Sequence, residues 1–219
     1  MGRLIWLATL AIVLRALGGE RIAGAIRWVD QRIELFSPRG AGVYAAIAPR
    51  ILAPLHRRVA EEVASRPGLI LDVGTGPGAL AVEIAGRCLS CRVLGIDLAP
   101  EMLRTAAQRA AEAGVGERVD FQVSDAAQLP LADGSIDAAV STLSLHHWRD
   151  PAAVLRELWR VVRPGGRVLI YDTRFSYSAR QVAEFLGATP FGAGSLDYRP
   201  LRVGRLPVAL YARYIINHS

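Results

Sequence analysis

The sequence contains no lysine, and all 26 of its basic residues are arginine. Chemistry that begins at a lysine amine, such as Schiff-base formation, is therefore excluded. Only two cysteines are present, Cys88 and Cys91, in the pattern C-L-S-C. Without a second cysteine pair or a nearby histidine cluster, this pattern does not supply the ligands of a zinc site. We expect two reduced structural thiols, with a redox pair as the alternative.

A hydrophobic run long enough to cross a bilayer is also missing. The run Leu4–Leu14 has eleven residues, whereas a spanning helix needs about 20. Three interpretations stay open for it: a membrane-associated helix, a helix packed on protein, and the core of a signal peptide that ends near Ala16–Gly18. A second pattern, Glu20–Phe36, places apolar residues on one face between basic flanks. It suits an interfacial helix and a helix that covers the core equally well.

Charge is distributed unevenly along the chain. Residues 1–58 carry a net charge of +6, residues 59–173 carry −4 and residues 174–219 carry +4. We therefore divide the chain into an N-terminal helical extension, residues 1–58, and a main domain, residues 59–219. Basic ends around an acidic centre favour contact with an anionic surface, such as a membrane.

The segment between extension and main domain has its own helix signal. Ser37–Gly40 is predicted to be a loop, and a helix is predicted from Tyr44 to Ser65. Pro49 and Pro54 are expected to break or kink this helix early.

The main domain is organised around a glycine-rich turn. Leu69–Val73 is predicted to be a short buried strand, and a helical pattern begins near Gly78. Between them the chain reads G-T-G-P-G, and glycine there permits a tight turn and close approach of a ligand to the backbone. Strand, glycine turn and helix form a nucleotide-binding arrangement. Asp72, just before the turn, suits a cationic amino group better than a pyrophosphate.

Strand and helix patterns then alternate regularly. Strands are predicted at 69–73, 92–97, 119–123, 136–141 and 167–172, helices at 78–87, 100–113, 151–162 and 178–187, and a closing hairpin at 196–203 and 207–216. Alternation of this kind predicts an α/β fold: a Rossmann-like, doubly wound sheet, mostly parallel, with a C-terminal antiparallel hairpin. The second strand ends in an acid, Asp97, which suits a ribose diol, and another acid, Asp125, follows the third strand.

Five phrases occur in one order between residues 67 and 172: D-V-G-T-G-P-G, G-I-D-L-A-P-E-M-L, D-A-A-Q-L-P-L-A-D-G-S-I-D, S-T-L-S-L-H-H-W and R-V-V-R-P-G-G-R-V-L-I. On these phrases the chain resembles the class I S-adenosylmethionine-dependent methyltransferases. It is most similar to the branch with the ubiquinone/menaquinone-biosynthesis enzymes and small phospholipid methyltransferases. The resemblance implies S-adenosyl-L-methionine as cofactor.

The resemblance also implies a set of cofactor-binding residues. Asp72 and the glycine loop hold the methionine end, Asp97 the ribose, and Asp125 the adenine amino group. Leu98 and Met102 pack on the adenine. The full set is Asp72, Gly74, Thr75, Gly76, Gly78, Asp97, Leu98, Met102, Asp125, Ala126 and Ser141.

Catalytic candidates follow the fourth strand. His146 and His147 are adjacent, so on a regular element they are expected to point in different directions. Histidine can take up a proton near neutral pH, although a purely structural role for the pair stays open. Asp172, after the fifth strand, is expected either to face the acceptor or to cap a turn. We predict no metal site.

The acceptor is expected to be small and lipophilic or membrane-borne, such as a quinone precursor or a phospholipid head group. Alternatives are a soluble small-molecule acceptor, a nicotinamide-dependent oxidoreductase and a non-catalytic cofactor-binding protein. We expect no nucleic-acid partner. The expected location is the cytoplasm, with peripheral contact at the cytoplasmic membrane face, and the oligomeric state stays open.

Overall fold

A computed structural model describes residues 38–65, 67–203 and 209–218 of the 219-residue chain. The predicted helices over residues 4–14 and 20–36 lie outside these ranges, as does the predicted hairpin turn at residues 204–206. The helices are α1 (Pro38–Val63), α2 (Ala79–Arg87), α3 (Pro100–Glu112), α4 (Pro151–Val161) and α5 (Ala179–Gly187). The strands are β1 (Leu69–Val73), β2 (Arg92–Asp97), β3 (Val119–Val123), β4 (Ile136–Thr142), β5 (Val162–Thr173), β6 (Leu196–Leu201) and β7 (Tyr211–Asn217).

The strands form one seven-stranded sheet in the order β3-β2-β1-β4-β5-β7-β6. Pairing is parallel from β3 to β5, and β7 runs antiparallel to both β5 and β6. The predicted fold class is therefore confirmed. Strand order reverses between β1 and β4, and ligands of such sheets bind at the carboxyl ends of the strands at this reversal.

Helices cover both faces of the sheet because alternate strand residues point to opposite sides. Ile70 belongs to the core shared with α1, α2 and α3, whereas the next residue, Leu71, belongs to the core shared with α4 and α5. Asp72 lies near the end of the same strand. Like its neighbours in the strand it is buried and not exposed to solvent.

Helix α1 differs from the prediction. It begins at Pro38, where a loop was predicted, and continues as one 26-residue helix through both later prolines. Proline suits the first turn of a helix, because its missing N–H would have no partner there. Packing of Leu55 and Val59 against the sheet, both fully buried, favours the helix downstream of Pro54. The predicted domain boundary at residue 58 falls inside α1, and the two-domain division stays a prediction.

Glu62 anchors the end of α1 to the far strands. Its carboxylate accepts hydrogen bonds from Tyr171 Oη at 2.8 Å and from the guanidinium of Arg213 on β7. Arg213 also pairs with Asp197 of β6 at 3.2 Å. This cluster fixes the position of α1 over the sheet, and with it the residues that α1 presents near the glycine loop.

The fifth strand begins earlier than predicted, at Val162, and encloses the predicted turn Pro164–Gly166. Pairing with β4 passes from Ile136 opposite Val162 directly to Ala138 opposite Arg167. The extra residues form a bulge, so the turn and the strand are parts of one irregular element.

Cys88 and Cys91 form a disulfide, so the expectation of two reduced thiols is wrong. Cys88 directly follows α2 and Cys91 directly precedes β2, and their Cα atoms lie 5.3 Å apart. Sequence spacing does not reveal this separation, because it depends on how tightly the chain turns between helix and strand.

Within the described residues, no helix has both the length and the apolar character needed to cross a membrane.

Candidate functional site

The loop between β1 and α2 forms the floor of the candidate site. Gly74, Gly76 and Gly78 all have positive φ angles, of 69°, 53° and 74°, which glycine adopts without steric cost. A Cβ on Gly74 would lie 2.2 Å from Ser144 Oγ, so the loop after β4 packs directly on this turn. A Cβ on Gly76 would meet no atom of the described residues within 4 Å. The loop therefore packs against Ser144 at Gly74 and leaves space for a ligand at Gly76.

Asp72 lies beneath this loop with 1% of its surface exposed. Thr75 Oγ1 donates to its Oδ2 at 2.7 Å, whereas Oδ1 is buried and has no hydrogen-bond partner among the described residues. Burial raises the pKa of Asp72 to about 7, opposed by the Thr75 hydrogen bond and reinforced by the charge of Asp97. A buried carboxylate with a free lone pair fits a cationic group.

Asp97, at the end of β2, links two loops. Its Oδ2 accepts from the backbone N–H of Gly76 at 2.9 Å, and its Oδ1 accepts from Ala99 at 3.0 Å. The side chain of Leu98 is 69% exposed and gives this edge an apolar surface. Met102, which the resemblance also places against the adenine, is buried in the first turn of α3.

The predicted adenine residues follow β3. Asp125 is exposed, and its Oδ1 accepts from the backbone N–H of Ala127 at 2.9 Å across Ala126. One carboxylate oxygen thus stabilises its own turn, and the contact with the adenine amino group stays a prediction. The next residues are held by α4, where Glu157 accepts from Leu129 N at 2.8 Å and Arg160 donates to Leu129 O at 2.9 Å.

Ser141 lies at the end of β4, next to β1 in the sheet. It is 1% exposed, and its Oγ is buried without a hydrogen-bond partner among the described residues. Unsatisfied buried polar atoms are rare and call for an explanation, one of which is a ligand. The structure therefore places two such atoms, Asp72 Oδ1 and Ser141 Oγ, at the carboxyl ends of neighbouring strands.

His146 is oriented by a buried acid. Its Nδ1 lies 2.8 Å from Oδ1 and 3.0 Å from Oδ2 of Asp172, and its backbone N–H donates to the same carboxylate at 3.2 Å. Asp172 is fully buried at the end of β5. An ionised carboxylate only accepts, so Nδ1 carries the hydrogen and Nε2 is left as the basic nitrogen. Asp172 also accepts from Thr173 N at 2.6 Å, so it caps the turn as well.

The two histidines do not point apart, which corrects that prediction. They lie on a single 3-10 turn, Leu145–His147, and their ring centroids are 4.0 Å apart at 45°. His146 is mostly buried, with 16% of its side chain exposed, and His147 is exposed.

A small cavity of about 40 Å³ opens beside the glycine loop. It is lined by Leu52, His56, Gly74, Thr75, Gly76, Pro77, Ala79, Leu80, Thr142 and Leu143. Sequence reasoning missed His56, because a lone histidine in a helix gives no motif. Among the described residues, no group of three or more histidine, cysteine or acidic side chains is arranged to hold a metal ion.

The described residues fit S-adenosylmethionine. The unpartnered Asp72 Oδ1 suits the cofactor's ammonium, the open side of Gly76 leaves room for a ligand, and exposed Leu98 offers an apolar contact. Fold and site together define a cofactor-binding α/β domain with its site at the strand-order reversal.

Comparison with known proteins identifies the domain more closely. Residues 71–170 match the family model described as "Methyltransferase domain". The chain is 33% identical over 159 residues to a demethylmenaquinone methyltransferase from Deinococcus radiodurans, covering 68% of this chain and 65% of that protein. It is 37% identical over 132 residues to the nocamycin O-methyltransferase of Saccharothrix syringae, covering 59% of this chain and 47% of that one. Residues 71–170 are therefore a methyltransferase domain, similar to those of S-adenosylmethionine-dependent methyltransferases.

A solved structure, a SAM-dependent methyltransferase from Aquifex aeolicus, superposes with a TM-score of 0.60. It is 24% identical, and the match covers 74% of this chain and 89% of that one, which supports the fold. The chain spans 65% of the Deinococcus relative and about half of the Saccharothrix relative.

Proposed function

We propose that the protein transfers a methyl group from S-adenosylmethionine to a small, hydroxylated, lipophilic acceptor of the quinone-precursor type. The observation that carries this proposal is the His146–Asp172 pair at the ends of β4 and β5. The similarity to a demethylmenaquinone methyltransferase supports a quinone-type acceptor.

The bound cofactor supplies a methyl group on a good leaving group, so positioning provides much of the catalysis. A hydroxylated aromatic acceptor is a weak nucleophile until its hydroxyl proton is removed. His146 Nε2 is the group available for that proton, and Asp172 stabilises the imidazolium that results. Deprotonation raises the electron density of the oxygen and of the adjacent ring carbons. The same pair therefore serves O-methylation and C-methylation.

The acceptor is tested by incubating the protein with labelled S-adenosylmethionine and three acceptors. These are a demethylated naphthoquinol kept reduced, a soluble hydroxylated aromatic and phosphatidylethanolamine vesicles. Mass spectrometry of the products then assigns the methylated atom. We expect the quinol to be methylated fastest. Methylation of phosphatidylethanolamine alone contradicts the proposal.

The base is tested with His146→Ala. The variant should lose turnover about 10²–10⁴-fold and keep its affinity for S-adenosylhomocysteine, since the base acts on the acceptor. His147→Ala is the matched control, because it removes the neighbouring ring, 4.0 Å away, and leaves the Asp172 contact. Equal losses in both variants, or loss of cofactor affinity, contradict the assignment.

A soluble hydroxylated natural product is the second candidate acceptor, favoured by the similarity to the nocamycin O-methyltransferase. The same panel distinguishes it, because the soluble aromatic is then methylated on oxygen and the quinol is not.

We also propose that residues 1–58, with their net charge of +6, hold the protein on an anionic membrane. Several arginines, each worth about 1 kcal/mol at such a surface, give reversible binding. Flotation with anionic vesicles should recover the full-length protein at low salt and lose it at high salt. Equal recovery with neutral vesicles, or no flotation at either salt concentration, contradicts membrane binding through charge.

A further inference from the structure

His56 is a buried histidine that the methyl-transfer chemistry described above does not use. It lies on the inner face of α1 with 9% of its surface exposed, and its ring lines the cavity beside the glycine loop. It makes no hydrogen bond with any described residue. Neither ring nitrogen of His56 is among the buried polar atoms left without a partner, so the polar edge of this largely buried ring is accessible and can donate to a ligand in the cavity.

The surroundings of His56 keep its ring neutral in the free protein. Burial lowers the pKa of His56 to about 4, Glu83 of α2 opposes this shift, and Arg109 of α3 adds to it. Glu83 is itself paired with Arg87 at 2.8 Å, which reduces its influence on the cavity. A neutral imidazole offers one N–H donor.

The beginning of α2 opens into the same cavity. Ala79 and Leu80, the first two residues of the helix, line it, and the preceding Gly78 provides no side-chain cap. Backbone N–H groups in the first turn of a helix lack intrahelical partners, and the helix dipole is positive there. None of the ten residues that line the cavity is acidic. The cavity therefore combines donors and a favourable field for an anion.

The amino-acid end of S-adenosylmethionine is a zwitterion, with ammonium and carboxylate on one carbon. Asp72 matches the ammonium, and Thr75, which hydrogen-bonds to Asp72, also lines the His56 cavity. We propose that His56, together with the N-terminus of α2, binds the carboxylate of the cofactor. This inference rests on the cofactor assignment of the proposed function and is independent of the acceptor.

The test compares two ligands that differ at this end. S-adenosylhomocysteine carries the amino acid, whereas 5′-methylthioadenosine keeps the adenosine and lacks both ammonium and carboxylate. Calorimetry on the full chain should find that His56→Ala weakens S-adenosylhomocysteine about 10–100-fold, the range expected for a hydrogen bond to a charged group. Affinity for 5′-methylthioadenosine should stay unchanged. His56→Gln, which keeps an N–H donor, should restore part of the loss.

Leu52→Ala is the matched control for packing, because Leu52 lines the same cavity from the same helix. It removes no hydrogen-bonding group, so it should weaken S-adenosylhomocysteine much less than His56→Ala does. Equal weakening of both ligands by His56→Ala, no weakening, or a loss of S-adenosylhomocysteine affinity in Leu52→Ala as large as that in His56→Ala would each overturn the inference. If the wild-type protein binds neither ligand, the cofactor assignment itself fails, and the two failures are thereby distinguished.

Discussion

Two carboxylates lie fully buried at carboxyl ends of strands in this sheet, and they differ in one respect. Among the described residues, Asp72 near the end of β1 has no partner for Oδ1, whereas Asp172 near the end of β5 receives hydrogen bonds from His146, Thr173 and Ser176. A carboxylate with a free lone pair is prepared for a ligand. A carboxylate whose oxygens already accept hydrogen bonds from the protein instead holds a neighbouring side chain in place. Hydrogen bonding alone therefore distinguishes an acid suited to bind a ligand, Asp72, from one that orients a neighbouring side chain, Asp172.

Asp172→Asn should have the largest effect. The amide can donate to His146 Nδ1 and thereby favours the wrong tautomer, so turnover should fall about 10²–10⁴-fold. Affinity for S-adenosylhomocysteine should change little, because Asp172 acts through His146. Steady-state kinetics and calorimetry together measure this separation. Asp150→Asn, which alters an exposed acid that caps α4, is the control.

Asp72→Asn should give the opposite pattern. Removing the charge that faces the cofactor's ammonium should weaken binding about 10–100-fold, while turnover at saturating cofactor falls much less. Asp120→Asn, an exposed acid on β3 paired with Arg92, controls for the change in net charge. The contrast between the two buried acids breaks down if Asp72→Asn loses turnover and keeps cofactor affinity.

Cofactor affinity should rise with pH. The pKa of Asp72 is raised to about 7, so the free protein holds a neutral carboxyl at pH 5.5 and a charged one above neutrality. Affinity for S-adenosylhomocysteine should therefore increase about tenfold between pH 5.5 and 7.5, and Asp72→Asn should flatten this profile. Conversely, the cofactor-free protein should lose stability as pH rises from 4 to 7, because the folded state retains the proton more strongly than the unfolded chain does.

Thr75→Val should change cofactor affinity least, but it tests most directly whether Asp72 sets the pH dependence. The Thr75 hydroxyl donates to Asp72 and lowers its pKa, so its removal should move the midpoint of the affinity profile to higher pH. Thr75→Ser keeps the hydroxyl and should keep the midpoint. An unchanged midpoint in Thr75→Val would assign the profile to a group other than Asp72.

Much of the fold could be predicted, because strand patterns and helical patterns alternate regularly between residues 69 and 187. Asp72, Asp97 and the glycine loop could be predicted in the same way, because they lie at the carboxyl ends of predicted strands or directly after them. The contact between His146 and Asp172 was not, although both residues had been singled out. It joins residues 26 positions apart through the pairing of β4 with β5.

Three further features depend on packing that a single sequence does not encode. His56 gives no local pattern, and its significance comes from facing a loop some twenty residues further along the chain. The start of α1 at Pro38 was misread because proline marks loops and helix starts alike. The contact between the two histidine rings depends on the orientation of their side chains, which the sequence pattern does not show.

The Cys88–Cys91 disulfide has a practical consequence for studying this protein in solution. With both thiols bonded and no lysine in the chain, maleimide probes have no native thiol to modify, and amine-reactive probes have only the N-terminal amine. A single cysteine introduced on α1 would therefore carry a fluorophore at one defined position. Its emission would then follow α1 relative to the glycine loop as S-adenosylhomocysteine is added.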